Sequence, residues 1–274
     1  MTYFGFLALF LGIPLAVFGA IHWYLNQQNV PLPPSFRTWS SVNVVLGLVV
    51  VAVVWTTPWD NYLVANAVWW YDPNLVTGYV IGYVPIEEYT FFVLQTILTG
   101  MITVFLIRMW PSYFVPAQFR SNTRVQWISS AIVVIAWSVS TVFLVSGYLP
   151  STYMTLIMSW ALIPILIQFI FGADILWHYR RILFWGIVPI TLFLAWADHI
   201  AIGSGTWTIS KEMTLGIYVG PILPLEEFTF FLVTNVLVVF GVTLLLAKQS
   251  HVRAADIPYL KNWVAPPPAV LESN

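Results

Sequence analysis

Pro85-Ile86-Glu87-Glu88-Tyr89-Thr90-Phe91-Phe92 recurs as Pro224-Leu225-Glu226-Glu227-Phe228-Thr229-Phe230-Phe231, 139 positions further on. Each copy sets two adjacent carboxylates at the head of a long apolar run, in a chain with only 8% charged residues. Burying a carboxylate without a partner is expensive. A proline at the first helical turn followed by glutamates is also simply a good helix start, and a single copy would be read that way. Two copies in so charge-poor a chain point instead to chemistry.

Around these motifs the 274 residues are 59% hydrophobic and 17% aromatic, far from the roughly 25% charged content of a soluble domain. Apolar runs long enough to cross a bilayer, about 20 residues each, fall at roughly 3–25, 39–57, 85–107, 125–149, 151–171, 182–200 and 224–247. The first is too long for the apolar part of a signal peptide and is read as a retained span. Pro31, Pro33 and Pro34 argue against helix between spans one and two. Between Asp60 and Pro85, the aromatic Trp69-Trp70-Tyr71 and the turn signal Asp72-Pro73-Asn74 suggest a short interfacial or re-entrant element. Little more than Pro150 separates spans four and five, which predicts a tight antiparallel pair. The tail from Lys248 onward, with Pro266-Pro267-Pro268, reads as irregular.

The duplication extends beyond the motif. Asp60 and Asp198 each precede a tryptophan by nine positions, Trp69 and Trp207, and a glycine stands ahead of each motif, Gly82 and Gly220. Ile13-Pro14-Leu15 resembles Ile163-Pro164-Ile165. The expected fold is therefore an all-α polytopic membrane protein of about seven transmembrane helices, with two parallel three-helix repeats joined by one extra helix. The repeats are assigned to 1–110 and 151–250, the linking helix to 111–150 and a cytoplasmic tail to 251–274.

Charge placement orients the chain. If the spans alternate, the face carrying the C-terminus holds Arg37, Arg108, Arg120, Arg124, Arg180, Arg181, Lys248, Arg253 and Lys261, and the other face only Lys211. The positive-inside rule then predicts a cytoplasmic C-terminus and an outside N-terminus in the cell membrane. A net charge of -1 gives no field for nucleic acid, so no such partner is expected. The absence of cysteine excludes disulfides, thiolate nucleophiles and thiolate metal sites.

From Glu88 to Arg108 is 20 residues, roughly 30 Å of helix, so the glutamates lie far from the basic end. Asp60 and Asp198 follow their spans on the glutamate side. A carboxylate cluster without nearby Lys or Arg is expected to hold protons near neutral pH. On a helix starting at Pro85, Glu88 shares a face with Phe91, Phe92, Gln95 and Thr99, while Glu227 shares one with Phe230, Phe231 and Thr234. An acid beside aromatic rings suits protonation of an apolar substrate and shelter of the resulting cation.

Other chemistry fits less well. Asp198-His199 suggests a metal pair, but the first repeat has Asp60-Asn61 in its place, and no His stands three or four positions after a glutamate as di-iron helices require. His22 and His178 are read as interface residues rather than haem ligands. Gly203-x-Gly205 lacks the third glycine and preceding strand of a dinucleotide site. Neither metal nor other cofactor is expected.

Thr57-Pro58-Trp59-Asp60, Pro85-Ile86-Glu87-Glu88-Tyr89 and Pro224-Leu225-Glu226-Glu227-Phe228-Thr229-Phe230-Phe231 together resemble the membrane-integral lycopene cyclases of bacteria, archaea and fungi. The resemblance covers about residues 3–247 and suits the form with both repeats in one chain. It does not extend to the flavin-dependent cyclases, whose dinucleotide fingerprint is missing, nor to the bifunctional fungal arrangement with a prenyl-synthase domain. It implies acid-catalysed, non-redox cyclisation of the acyclic ends of lycopene to β-ionone rings, through γ-carotene to β-carotene. Glu87, Glu88, Glu226, Glu227, Asp60 and Asp198 become the catalytic candidates. Trp69, Phe91, Phe92, Gln95, Trp207, Phe230, Phe231 and Asn235 become candidates for substrate contact. The family pattern stresses the first glutamate of each pair and the helical face favours the second, so both are kept. The implied partners are lycopene and other carotenoids with acyclic ends, the lipid bilayer, and other carotenoid-pathway enzymes. A hydratase of the same end group, a proton-coupled transporter and a lipid-binding protein remain alternatives.

Overall fold

The computed structural model describes residues 1–114 and 118–257. Lys261, Pro266-Pro267-Pro268 and most of the tail assigned to 251–274 lie outside the described residues. Seven helices are long and apolar enough to cross a membrane. They are α1 (Tyr3–Gln27), α2 (Ser41–Ala65), α3 (Ile86–Met109), α4 (Thr123–Val145), α5 (Thr152–His178), α6 (Arg180–Gly203) and α7 (Leu225–Leu246); a shorter α8 (Lys248–Ala255) follows. A π-helical stretch at Ala8–Gly12 interrupts α1 just ahead of Pro14, a common response where proline removes a backbone donor. The adjacent α4 and α5 have the most extensive pairing in the bundle, as the short connection at Pro150 predicts.

The two motif helices, α3 and α7, occupy the centre and pack on each other. The second helix packs against its own neighbour α3 and crosses to α7, while α6 packs against α7 and crosses to α3. Two hydrogen bonds bind the central pair. Gln95 Nε2 donates to Thr234 Oγ1 at 2.9 Å, and Thr99 Oγ1 donates to Asn235 Oδ1 at 2.8 Å.

Three expectations need correction. First, span two does not stop at Thr57; α2 continues through Pro58 to Ala65. Proline removes one ladder hydrogen bond, a loss that membrane helices tolerate, and the Thr57 hydroxyl donates back to the Val53 carbonyl at 2.6 Å in the same turn. Asp60 and Asp198 consequently sit inside helices rather than after them. Second, the proline-rich connector holds a single 3-10 turn, Pro34–Phe36, with proline at its first position, where the missing N–H costs nothing.

Third, the segment between Asp60 and Pro85 is not one short element. It leaves α2 and forms β1 (Trp69–Tyr71), then a hairpin of β2 (Val80–Ile81) and β3 (Val84–Pro85) leading into α3. The second half matches this with β4 (Trp207–Ile209), β5 (Tyr218–Val219) and β6 (Leu223–Pro224). Strands β1 and β4 pair antiparallel, with Trp70 opposite Thr208, Trp69 opposite Ile209 and Tyr71 opposite Trp207. The Asp72 turn forms as expected, with Asp72 Oδ1 accepting from the Asn74 amide at 2.8 Å. These short strands cap the end of the bundle that holds the carboxylates.

Candidate active site

The first glutamate of each pair faces a loop. Glu87 Oε1 accepts from the Thr77 amide at 2.6 Å, and Glu226 Oε1 accepts from the Leu215 amide at 2.7 Å. Both residues have 0% exposure, whereas Glu88 keeps 8% and Glu227 keeps 6%, so only the second glutamate of each pair remains reachable. Helix geometry turns adjacent residues apart by about 100°, which separates a loop-holding carboxylate from one that faces inward.

Glu88 and Glu227 line one small chamber, about 40 Å³ in volume, together with Asp198. The Tyr3 hydroxyl donates to Glu88 Oε2 at 2.5 Å, and the Tyr71 hydroxyl donates to the same oxygen at 3.0 Å. Across the chamber, the Tyr153 hydroxyl donates to Glu227 Oε1 at 2.7 Å. Burial and the nearby Glu88 charge push the Tyr71 phenol well above its usual range, so it stays a donor at working pH. Trp207 Nε1 donates to Asp198 Oδ1 at 2.9 Å. Asp60 is buried within electrostatic reach of Glu88, and neither of its oxygens has a donor among the described residues. No Lys or Arg lines the chamber.

Aromatic rings form the rest of the wall. Trp69, Phe91, Trp207, Phe230 and Phe231 all line the chamber, with Phe91 and Phe231 edge to face at 6.1 Å. On one side Trp59 stacks on Trp160 at 4.5 Å and on Phe230 at 5.8 Å. The arrangement offers a dry, electron-rich enclosure with carboxyl groups on opposite sides, suited to moving a proton through an apolar guest.

Of the sequence candidates, the structure thus brings together Glu88, Glu227, Asp198, Trp69, Phe91, Trp207, Phe230 and Phe231, with Asp60 close behind. Phe92 and Gln95 face a separate side cavity instead. Asn235 reaches neither space; fully buried, it accepts from Thr99 and donates through Nδ2 to Thr191 Oγ1 at 3.1 Å. Among the described residues no group of three or more His, Asp and Glu is placed to hold a metal ion.

Sequence reasoning missed Tyr3, Tyr71 and Tyr153. For two of them a signal was present. The match of Ile13-Pro14 to Ile163-Pro164 is offset by 150 positions, and the same offset carries Tyr3 onto Tyr153. Both residues are pinned alike, with the Tyr3 amide donating to the Leu75 carbonyl at 2.8 Å and the Tyr153 amide donating to the Met213 carbonyl at 3.0 Å. Tyr71 has no such signal, because its counterpart opposite Trp69 in the strand pair is Ile209.

The chain is similar in sequence to known proteins. The lycopene beta-cyclase of Halobacterium salinarum is 34% identical over 249 residues, covering 89% of this chain and 95% of that protein. The bifunctional lycopene cyclase/phytoene synthase of Aspergillus oryzae is 36% identical over 197 residues, 71% of this chain and 33% of that protein. The corresponding protein of Phycomyces blakesleeanus is 38% identical over 207 residues, 71% of this chain and 32% of that protein. No family model matches the chain, and no solved structure matches it. With 34% identity sustained over 95% of the Halobacterium protein, the chain belongs to the lycopene beta-cyclase family.

Proposed function

We propose that the chain cyclises the acyclic end groups of lycopene to β-ionone rings, with Glu227 as the proton donor and Glu88 as the proton acceptor. The observation that carries this reading is that these two glutamates, one from each motif, face the same aromatic chamber. A carboxyl group at Glu227 gives its proton to C2 of the terminal double bond. The C1 cation is attacked by the C5=C6 bond, closing the C1–C6 bond and moving the positive charge to C5. A carboxylate at Glu88 then takes the proton from C6, leaving the C5=C6 double bond of the ring. One proton enters and one leaves, so the reaction is an isomerisation and needs no oxidant or reductant.

The two roles are distinguished by hydrogen bonds. Glu88 accepts two hydroxyls, from Tyr3 and Tyr71, while Glu227 accepts one, from Tyr153. Donors to an anion favour the anion, so Glu88 is the one held as a carboxylate, ready to accept, and Glu227 the one that keeps a proton to give. Like charges sharing a small chamber do not all ionise together, so the cluster shares protons. Asp60 and Asp198 serve to return the proton between turnovers. Trp69, Phe91, Trp207, Phe230 and Phe231 stabilise the cation and exclude water that would trap it as an alcohol.

The reading extends to the whole chain. Residues 1–110 and 151–250 act as two halves of one catalytic unit joined by 111–150. The excess of Lys and Arg at the end remote from the glutamates supports an outside N-terminus and a cytoplasmic C-terminus in the cell membrane. The substrate dissolves in the bilayer and is supplied there by other carotenoid-pathway enzymes. Expression in cells that accumulate lycopene, followed by pigment chromatography, tests the activity. γ-Carotene or β-carotene supports it; a hydroxylated end group indicates a hydratase, and unchanged lycopene indicates transport or lipid binding.

A further inference from the structure

The chamber is too small for the whole substrate. Its enclosed space is about 40 Å³, whereas the polyene is nearly as long as the roughly 30 Å hydrocarbon core. The remainder has to leave through one wall. A second cavity of about 260 Å³ lies against the chamber, and Phe230 lines both.

This cavity is walled by one face each of α2, α3, α5 and α7, including Ala52, Trp55, Gln95, Trp160, Ile167 and Thr234. Its rim is open to the side, with Trp55 40% and Ile167 63% exposed. A third cavity of about 420 Å³ continues it, sharing Leu48, Ile167 and Gln168, and runs on past Gly241 to Leu245 and His251. From Phe230 to Leu245 is 15 positions of α7, roughly 22 Å. The space is therefore long, narrow and apolar. The flat rings of Trp55, Trp160 and Phe230 suit a conjugated chain. Gln95 and Thr234 on its floor are bonded to each other, so the Gln95 amide donor meets an apolar guest already paired.

We propose that this side groove between α2 and α5 binds the polyene body of the substrate, entered from the lipid, while the end group reaches the carboxylates past Phe230. The proposal rests on the cyclase reading for its ligand. It assigns Ala52, Trp55, Trp160 and Ile167 to recognition of a long conjugated chain, and it makes the groove a determinant of chain length rather than of ring chemistry.

The test uses the full chain in lipid nanodiscs. Achiral lycopene acquires visible circular dichroism when held in a chiral site, which reports binding without turnover. Ala52→Trp fills the groove from α2, and Ile167→Trp fills it from the opposite wall. Val54→Trp, at a position 69% exposed on α2 and outside the groove, is the control. Both groove variants are expected to lose the dichroism and to lower lycopene conversion by at least about 10-fold. They should still cyclise a truncated polyene bearing the same end group, within about 3-fold of the parent protein. The control should match the parent. Groove variants that bind and convert lycopene normally, or that lose long and short substrates alike, overturn the proposal. So does a parent protein without induced dichroism, the outcome if lipid acyl chains occupy the groove. Failure of the cyclase reading looks different: lycopene binds with dichroism, and no ring product forms.

Discussion

Gln95 and Thr234 are hydrogen-bonded to each other at 2.9 Å and stand 139 positions apart, the same interval that separates Pro85 from Pro224. Each is therefore the other's counterpart, and the contact lies on the pseudo-two-fold axis relating the repeats. The antiparallel pairing centred on Trp70 and Thr208 lies on the same axis at the capped end. Matching side chains disposed about such an axis face one another across a shared space, as Glu88 and Glu227 do in lining one chamber.

Asn235, next to that contact, ties three helices together through Thr99 and Thr191. Asn235→Leu leaves both hydroxyls without this partner in the buried core. The expected cost is about 1–3 kcal/mol of stability, read as a lower unfolding midpoint in detergent. The ratio of ring products should not change, because Asn235 does not reach the chamber.

Tyr153 is the one hydroxyl serving Glu227 among the described residues, whereas Glu88 has both Tyr3 and Tyr71. Tyr153→Phe is expected to lower the initial rate of lycopene conversion by about 10-fold, the equivalent of one hydrogen bond of ~1.4 kcal/mol. Tyr3→Phe should cost less, since Tyr71 remains. Pigment time courses at equal protein level decide the order.

Glu87 and Glu226 hold loops by accepting backbone amides. A glutamine keeps the accepting oxygen, so Glu87→Gln and Glu226→Gln are expected to retain most activity. Glu87→Ala removes the acceptor and leaves the Thr77 amide unpaired, at a cost of about 1–3 kcal/mol. Thermal unfolding together with pigment analysis separates this anchoring role from proton transfer.

Gly82 and Gly220 both adopt positive φ, +69° and +71°, but their surroundings differ. A Cβ at Gly82 would lie 2.1 Å from Asn61 Oδ1, and nothing stands within 4 Å of one at Gly220. Asn61 is held in place by the Tyr83 amide and the Tyr89 hydroxyl. Gly220→Ala should cost only the left-handed backbone penalty of about 1–2 kcal/mol. Gly82→Ala should cost clearly more, as unfolding midpoints of the two variants will show.

The helices and the duplication were legible because apolar length and a repeated motif are local signals. The strand caps were not, since β1 and β4 consist of three residues each and gain their pairing only from the other repeat. The end of α2 was misread because Pro58 looked like a stop, whereas the helix continues through it to Ala65. The helical face of Glu88 and Glu227 correctly indicated which glutamates turn inward. Tyr3 escaped notice because it touches Glu88 across 85 positions, and only the 150-residue offset to Tyr153 marks it. Phe92 and Gln95 share the Glu88 face yet line the side groove, since which cavity a helix face meets depends on the neighbouring helices and not on its own sequence.

The most direct measurement is the pigment composition of lycopene-accumulating cells expressing Glu227→Gln and Glu88→Gln, with equal membrane levels of each protein. Loss of general acid or base catalysis typically costs about 10²–10⁴-fold, so lycopene should remain essentially unconverted in both, while Glu87→Gln and Glu226→Gln still form rings. Undiminished β-carotene or γ-carotene from Glu227→Gln or Glu88→Gln would contradict proton transfer by these two residues.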